Sequence, residues 1–132
     1  MKYYVALILF IFIGCAAQMA PKGGPIDKEG PILLKTSHSL ESKISNTDDK
    51  IIFYFNEFIN PLTVVNAIEI LNFDDFSYQI RGKNIIISPN DKWPDSQIIK
   101  INISRKISDF HDNIMNIPIQ LSFSTSMTKL NN

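Results

Sequence analysis

Cysteine is nearly absent. Cys15 is the only one among 132 residues, so no intramolecular disulfide can form and the folded chain must be held by its core. Histidine is scarce too. His38 and His111 lie far apart with no cysteine beside either, which excludes the ligand spacing of a structural zinc site. Five glycines never gather into a phosphate-cradling loop, and no serine sits in a Gly-x-Ser-x-Gly elbow. Charge of one sign is also missing: 13 Lys and Arg balance 13 Asp and Glu, with neither a basic stripe nor an acidic tail. Nucleic acid is therefore not an expected partner, because its binding rests on basic side chains neutralising phosphates. No sequence repeat is visible, and no apolar run approaches the roughly 20 residues of a membrane-spanning helix.

What the chain does have begins at its amino end. Met1-Lys2-Tyr3-Tyr4 supplies a positive charge, Val5 to Ile13 a short apolar core, and Gly14-Cys15-Ala16-Ala17 small residues. This three-part layout is that of a secretory signal. Phe12-Ile13-Gly14-Cys15 resembles the bacterial lipobox, in which the cysteine is acylated and the chain cut just before it, although that motif prefers Leu where Phe12 stands. The expectation is a signal peptide over residues 1–14 and lipidation at Cys15. A thiol acylated at the membrane surface retains the chain there, since each buried methylene contributes about 0.8 kcal/mol. The competing reading is an ordinary signal cut after Ala17 or Ala20, leaving a secreted protein.

Residues 15–30 hold Pro21, Gly23, Gly24, Pro25 and Gly30 and little to bury, the composition of a spacer. From Pro31 onward short runs recur at even spacing. Ile99, Ile101 and Ile103 alternate with Lys100, Asn102 and Ser104, and Ile119, Leu121 and Phe123 alternate with Gln120, Ser122 and Ser124. Period two is the signature of a half-buried strand. Further strands are predicted at Ile32–Lys35, Ile51–Phe55, Ala67–Leu71, Phe76–Ile80 and Ile85–Ile87, separated by turn formers such as Asn60-Pro61, Arg81-Gly82 and Pro89-Asn90-Asp91. Pro61 alone suggests a helical turn, being suited to a first helical position. About seven strands in just under 100 residues is the rhythm of an all-β, immunoglobulin-like antiparallel sandwich of two sheets. It is expected over 31–126, with a polar tail at 127–132.

In register, these segments resemble the bacterial Ig-like domain of the S-layer (SbsA) type. The similarity lies in Gly30-Pro31-Ile32-Leu33-Leu34, in Phe53-Tyr54-Phe55-Asn56-Glu57 followed by Asn60-Pro61-Leu62-Thr63, in Ile101-Asn102-Ile103-Ser104 leading to Asp109-Phe110-His111-Asp112-Asn113, and in Phe123-Ser124-Thr125. Where the family often has glycine, this chain has Asp112, a residue that tolerates positive φ better than most. The resemblance implies a sandwich in the cell envelope and brings no catalytic residue and no cofactor.

Several side chains are candidates for more than structure. Asp109, Asp112 and Asn113, with His111, could offer oxygen ligands to a hard cation; the alternative is an Asx-rich turn bonding its own backbone. Glu57 is expected to bond a backbone amide at its strand end. Trp93, with Phe73, Phe76 and Tyr78, either plugs one end of the core or forms an aromatic platform for a sugar. Phe58, beside Ile59, could be an exposed patch for a partner. The expected protein is a non-enzymatic, lipid-anchored module of the outer membrane or cell surface rather than the inner membrane. Its role is that of a spacer or adhesive domain for an envelope protein or glycan, with carbohydrate binding at Trp93 as the rival.

Overall fold

The computed structural model describes residues 23–38, 42–44 and 49–125. The signal segment, Cys15, the first part of the spacer and the polar tail lie outside them.

Where apolar residues alternate, strands form. β1 (Leu33–Thr36), β2 (Ser42–Ile44) and β3 (Ile51–Phe55) are followed by one helical turn, α1 (Pro61–Val64). Then come β4 (Ile68–Leu71), β5 (Phe76–Arg81), β6 (Asn84–Pro89), β7 (Ile98–Ile103) and β8 (Ile119–Thr125). One four-stranded sheet has the order β1-β3-β6-β5, the other β2-β8-β7-β4. The seven expected strands are present and pair antiparallel. The eighth, β2, was not expected; it runs parallel to the end of β8, Ser42 opposite Phe123. The chain thus starts on the edge of one sheet and crosses to the edge of the other.

Local chemistry fixes the corners. Asn60 caps α1, its side chain accepting from the Leu62 amide at 3.1 Å, and Pro61 opens the turn. Gly82 takes φ 61° between β5 and β6, a conformation glycine adopts without penalty.

The period-two faces meet in the middle. Ile51, Phe53 and Phe55 of β3 and Ile85 and Ile87 of β6 are buried against Ile99, Ile101 and Ile103 of β7 and Ile119, Leu121 and Phe123 of β8. Each such side chain contributes roughly 1.5–3 kcal/mol on leaving water. The alternating residues face outward: Lys100 and Gln120 are exposed, and Asn102, Ser122 and Ser124 are half-buried.

Trp93 closes the end of the sandwich at which β8 finishes. It is 0% exposed, its ring centroid lies 5.2 Å from that of Phe73 and 5.3 Å from that of Phe123, and its indole N–H donates to the Asp49 carbonyl at 2.8 Å. Packing at the opposite end reaches back into the spacer. Gly30 is buried, and a Cβ there would stand 2.0 Å from the Ile114 carbonyl oxygen, so only glycine fits. Trp93→Ala is expected to lower stability by about 3–5 kcal/mol in urea unfolding, while Phe110→Ala, at an exposed tip, should shift it by less than about 0.5 kcal/mol.

Candidate functional site

Functional candidates gather at the end where β3 and β6 meet the loop after β7. β3 runs out into Asn56, whose side-chain oxygen accepts from the Ile32 amide at 2.7 Å, pinning the start of β1. Lys83 Nζ donates to the Asn56 carbonyl at 2.8 Å, and the Ile59 amide to that of Gly82 at 3.3 Å. Asn60 N–H donates to the Ser108 carbonyl at 2.9 Å, and the Ser108 amide to Thr63 Oγ1 at 3.0 Å. Three loops and the entering segment are thereby tied into one surface.

At its centre Asp109 is 2% exposed. Oδ1 accepts from the His111 and Asn113 amides at 2.7 and 2.9 Å, and Oδ2 from Asn113 Nδ2 at 2.9 Å. This is the Asx-type turn, with Asp112 at φ 63° supplying the left-handed residue. Burial alone would raise the Asp109 pKa, but the donors from Asn113 and His111 outweigh it and hold the carboxyl below its ordinary 3.8. Asn113 Nδ2 also donates to the Asp27 carbonyl at 3.2 Å, latching the spacer onto the turn.

Glu57 stands close enough to Asp109 and Asp27 to feel their charges. Burial first, then the charges of Asp109 and Asp27, push its pKa above the ordinary 4.5, against a smaller lowering by Asn56. Asp27, Asp109 and His111 bring ligand atoms within 4.8 Å of one another, a set that could hold a divalent cation. It shares Asp109 and His111 with the set read in the sequence and adds Asp27; Asp112 is an exposed turn residue, and Asn113 donates through Nδ2 to Asp109 and to the Asp27 carbonyl. Asp27 carried no sequence signal, because 82 positions separate it from Asp109.

The aromatic candidates divide. Trp93 cannot be a sugar platform, since neither face of its indole reaches solvent. Phe73, Phe76 and Tyr78 are half-buried and packed against the core. Phe58 is the one aromatic of that list with an open face: it is 57% exposed, beside Gly82, with Lys83 Nζ 5.8 Å from its ring centre. Leu62 and Phe110 stand out at the same end.

A second feature was missed in the sequence. An apolar groove of about 530 Å³ runs along the seam between β1 and β8, lined by Ile32, Leu33, Met115, Ile117 and Leu121. β2 covers β8 only from Phe123 to Thr125, so Ile119 to Ser122 have no strand on that side among the described residues. The Thr125 amide bonds Gln97 across the β7 side. By antiparallel alternation, the peptide groups of Gln120 and Ser122 then point to the open edge. Their amides should exchange with deuterium much faster than those of Leu121 and Phe123, a contrast NMR exchange rates would show.

The sequence profile of the family described as Bacterial Ig-like domain matches residues 27–125. No curated protein matches the chain. Among solved structures, an L,D-transpeptidase from Mycobacterium smegmatis is similar over 73% of this chain, with a TM-score of 0.54 and 11% identity. The match spans only 40% of that protein's chain, and at such identity the likeness is one of fold.

The carboxylates make stability depend on pH in two opposite ways. Asp109, lowered in the folded state, contributes stability above its ordinary 3.8 that is lost as pH falls through the lowered value. Glu57, raised, contributes stability below 4.5 that is lost as pH rises through its folded pKa. Glu57→Gln should therefore melt higher than the parent at pH 7 and equally at pH below 4.5, whereas Asp109→Asn should melt lower at pH 7. Melting curves across pH would check both.

Proposed function

The chain belongs to the bacterial Ig-like domain family, and from that footing we propose that it is a non-catalytic, lipid-anchored module of the cell envelope. Cys15 would carry the lipid, residues 15–30 the spacing, and the sandwich the contact with an envelope protein or glycan. The placement on the outer membrane or cell surface rests on the amino-terminal pattern: Lys2, the apolar Val5–Ile13 and Phe12-Ile13-Gly14-Cys15.

One observation carries the interaction role. The open edge of β8 beside an apolar groove is the surface on which an extended partner segment can add as a further strand. Main-chain groups at Gln120 and Ser122 would give affinity, and the groove would take alternate side chains. The carbohydrate alternative loses its main residue with Trp93 in the core.

The anchor is tested by metabolic labelling with a palmitate analogue. The parent chain should label and sediment with membranes. Cys15→Ser should lose both, and unchanged labelling in that variant would remove the lipoprotein reading.

A further inference from the structure

We propose that the loop end of the sandwich rests on the lipid surface itself, with Phe58, Leu62 and Phe110 as the contacting side chains. The inference builds on the anchor at Cys15 and adds an orientation to it.

The argument begins with where the chain leaves the domain. Among the described residues, Asp27 is the outermost point of the amino-terminal segment bonded to the loops, through Asn113, and Gly30 is locked beneath Ile114. The anchor position, Cys15, therefore connects to the loop end and not to the end plugged by Trp93. Asp27 lies twelve positions after Cys15, a reach of at most about 40 Å. Bringing the Trp93 end to the membrane would use more than half of that reach merely to run alongside β8, whose seven residues span about 23 Å. Presenting the loop end uses none of it.

The side chains at this end suit that neighbour. Phe58 follows β3 and packs on Gly82, Leu62 lies on α1, and Phe110 tips the turn built on Asp109; they are 57%, 83% and 64% exposed. The hydrogen bonds Asn60 to Ser108, Ser108 to Thr63 and Ile59 to Gly82 hold the three segments that carry them together. Apolar tips held on a rigid base near an anchored end gain by entering the headgroup and acyl boundary, which lies about 5–10 Å deep. Asp27, Glu57 and Asp112 share this end with Lys83 and Arg105, a mixture of charges that suits a zwitterionic surface.

Trp93 makes the test clean, because the chain's only tryptophan is buried at the opposite end. The full chain, expressed with its own amino terminus in a bacterial host, is reconstituted into phosphatidylcholine vesicles with brominated acyl chains. Phe58→Trp and Phe110→Trp should each lose about half of the emission they add, as expected for interfacial depth, while parental Trp93 emission is unchanged. Vesicle flotation without quenching of either added tryptophan would overturn the orientation and leave the anchor standing. Crosslinks between copies through position 110, without quenching, would assign the patch to a second copy and overturn it equally. A Cys15→Ser chain that floats, and whose tryptophan at 58 or 110 is quenched as in the anchored variants, would remove the anchor but keep the contact. A parent chain that fails to float would end both.

Discussion

Contact between two apolar faces is what closes this molecule, and nothing covalent assists it. With one cysteine, set ahead of the domain, the sandwich has no disulfide across its sheets. Its isoleucines, phenylalanines and single tryptophan must hold β3 and β6 against β7 and β8 by area and fit alone. The core is accordingly dominated by isoleucine, whose branched Cβ is stiff and sits well on a pleated surface. Trp93 finishes one end, and its N–H bond to the Asp49 carbonyl keeps that burial from stranding a polar group. The other end is closed by Ile59, Val64, Ile107 and Met115, beneath loops that carry both the Asp109 turn and the exposed Phe58, Leu62 and Phe110.

That division of labour explains which parts were readable in the sequence. A strand with one buried face writes its burial as alternation, so Ile99-Ile101-Ile103 and Ile119-Leu121-Phe123 gave their faces directly. Pro61 and Asp112 were legible for another reason, each being suited to one backbone conformation. β2 was not, because three residues on a sheet edge make too short a pattern to stand out. The groove was invisible because it belongs to neither β1 nor β8 but to the gap between them. Trp93 was ambiguous in principle: the same ring serves a core or a platform, and only tertiary packing decides. The gathering of Asp27, Glu57 and Asp109 came from three distant segments, and each carboxylate alone looks like any surface acid.

Electrostatics has the same local character. The chain is neutral as a whole, yet three carboxylates converge at one end with no lysine or arginine paired to them among the described residues. The Asp109 side chain earns its place by ordering the turn with its three short hydrogen bonds. Glu57 then bears the repulsion. Order in the loop is obtained at a cost in charge.

The crossing of the chain from β1 to β2 has a mechanical consequence. β1 and β2 both run from the entry end toward the Trp93 end, one bonded to β3 and the other lying parallel to β8. Described residues enter at one end of the sandwich and Thr125 finishes at the other, so tension between them acts along the strands. Such a pull acts first on β1 against β3 and on β8 against β7, and because both pairings lie along its direction their hydrogen bonds are loaded in shear, side by side, instead of opening one after another like a zipper.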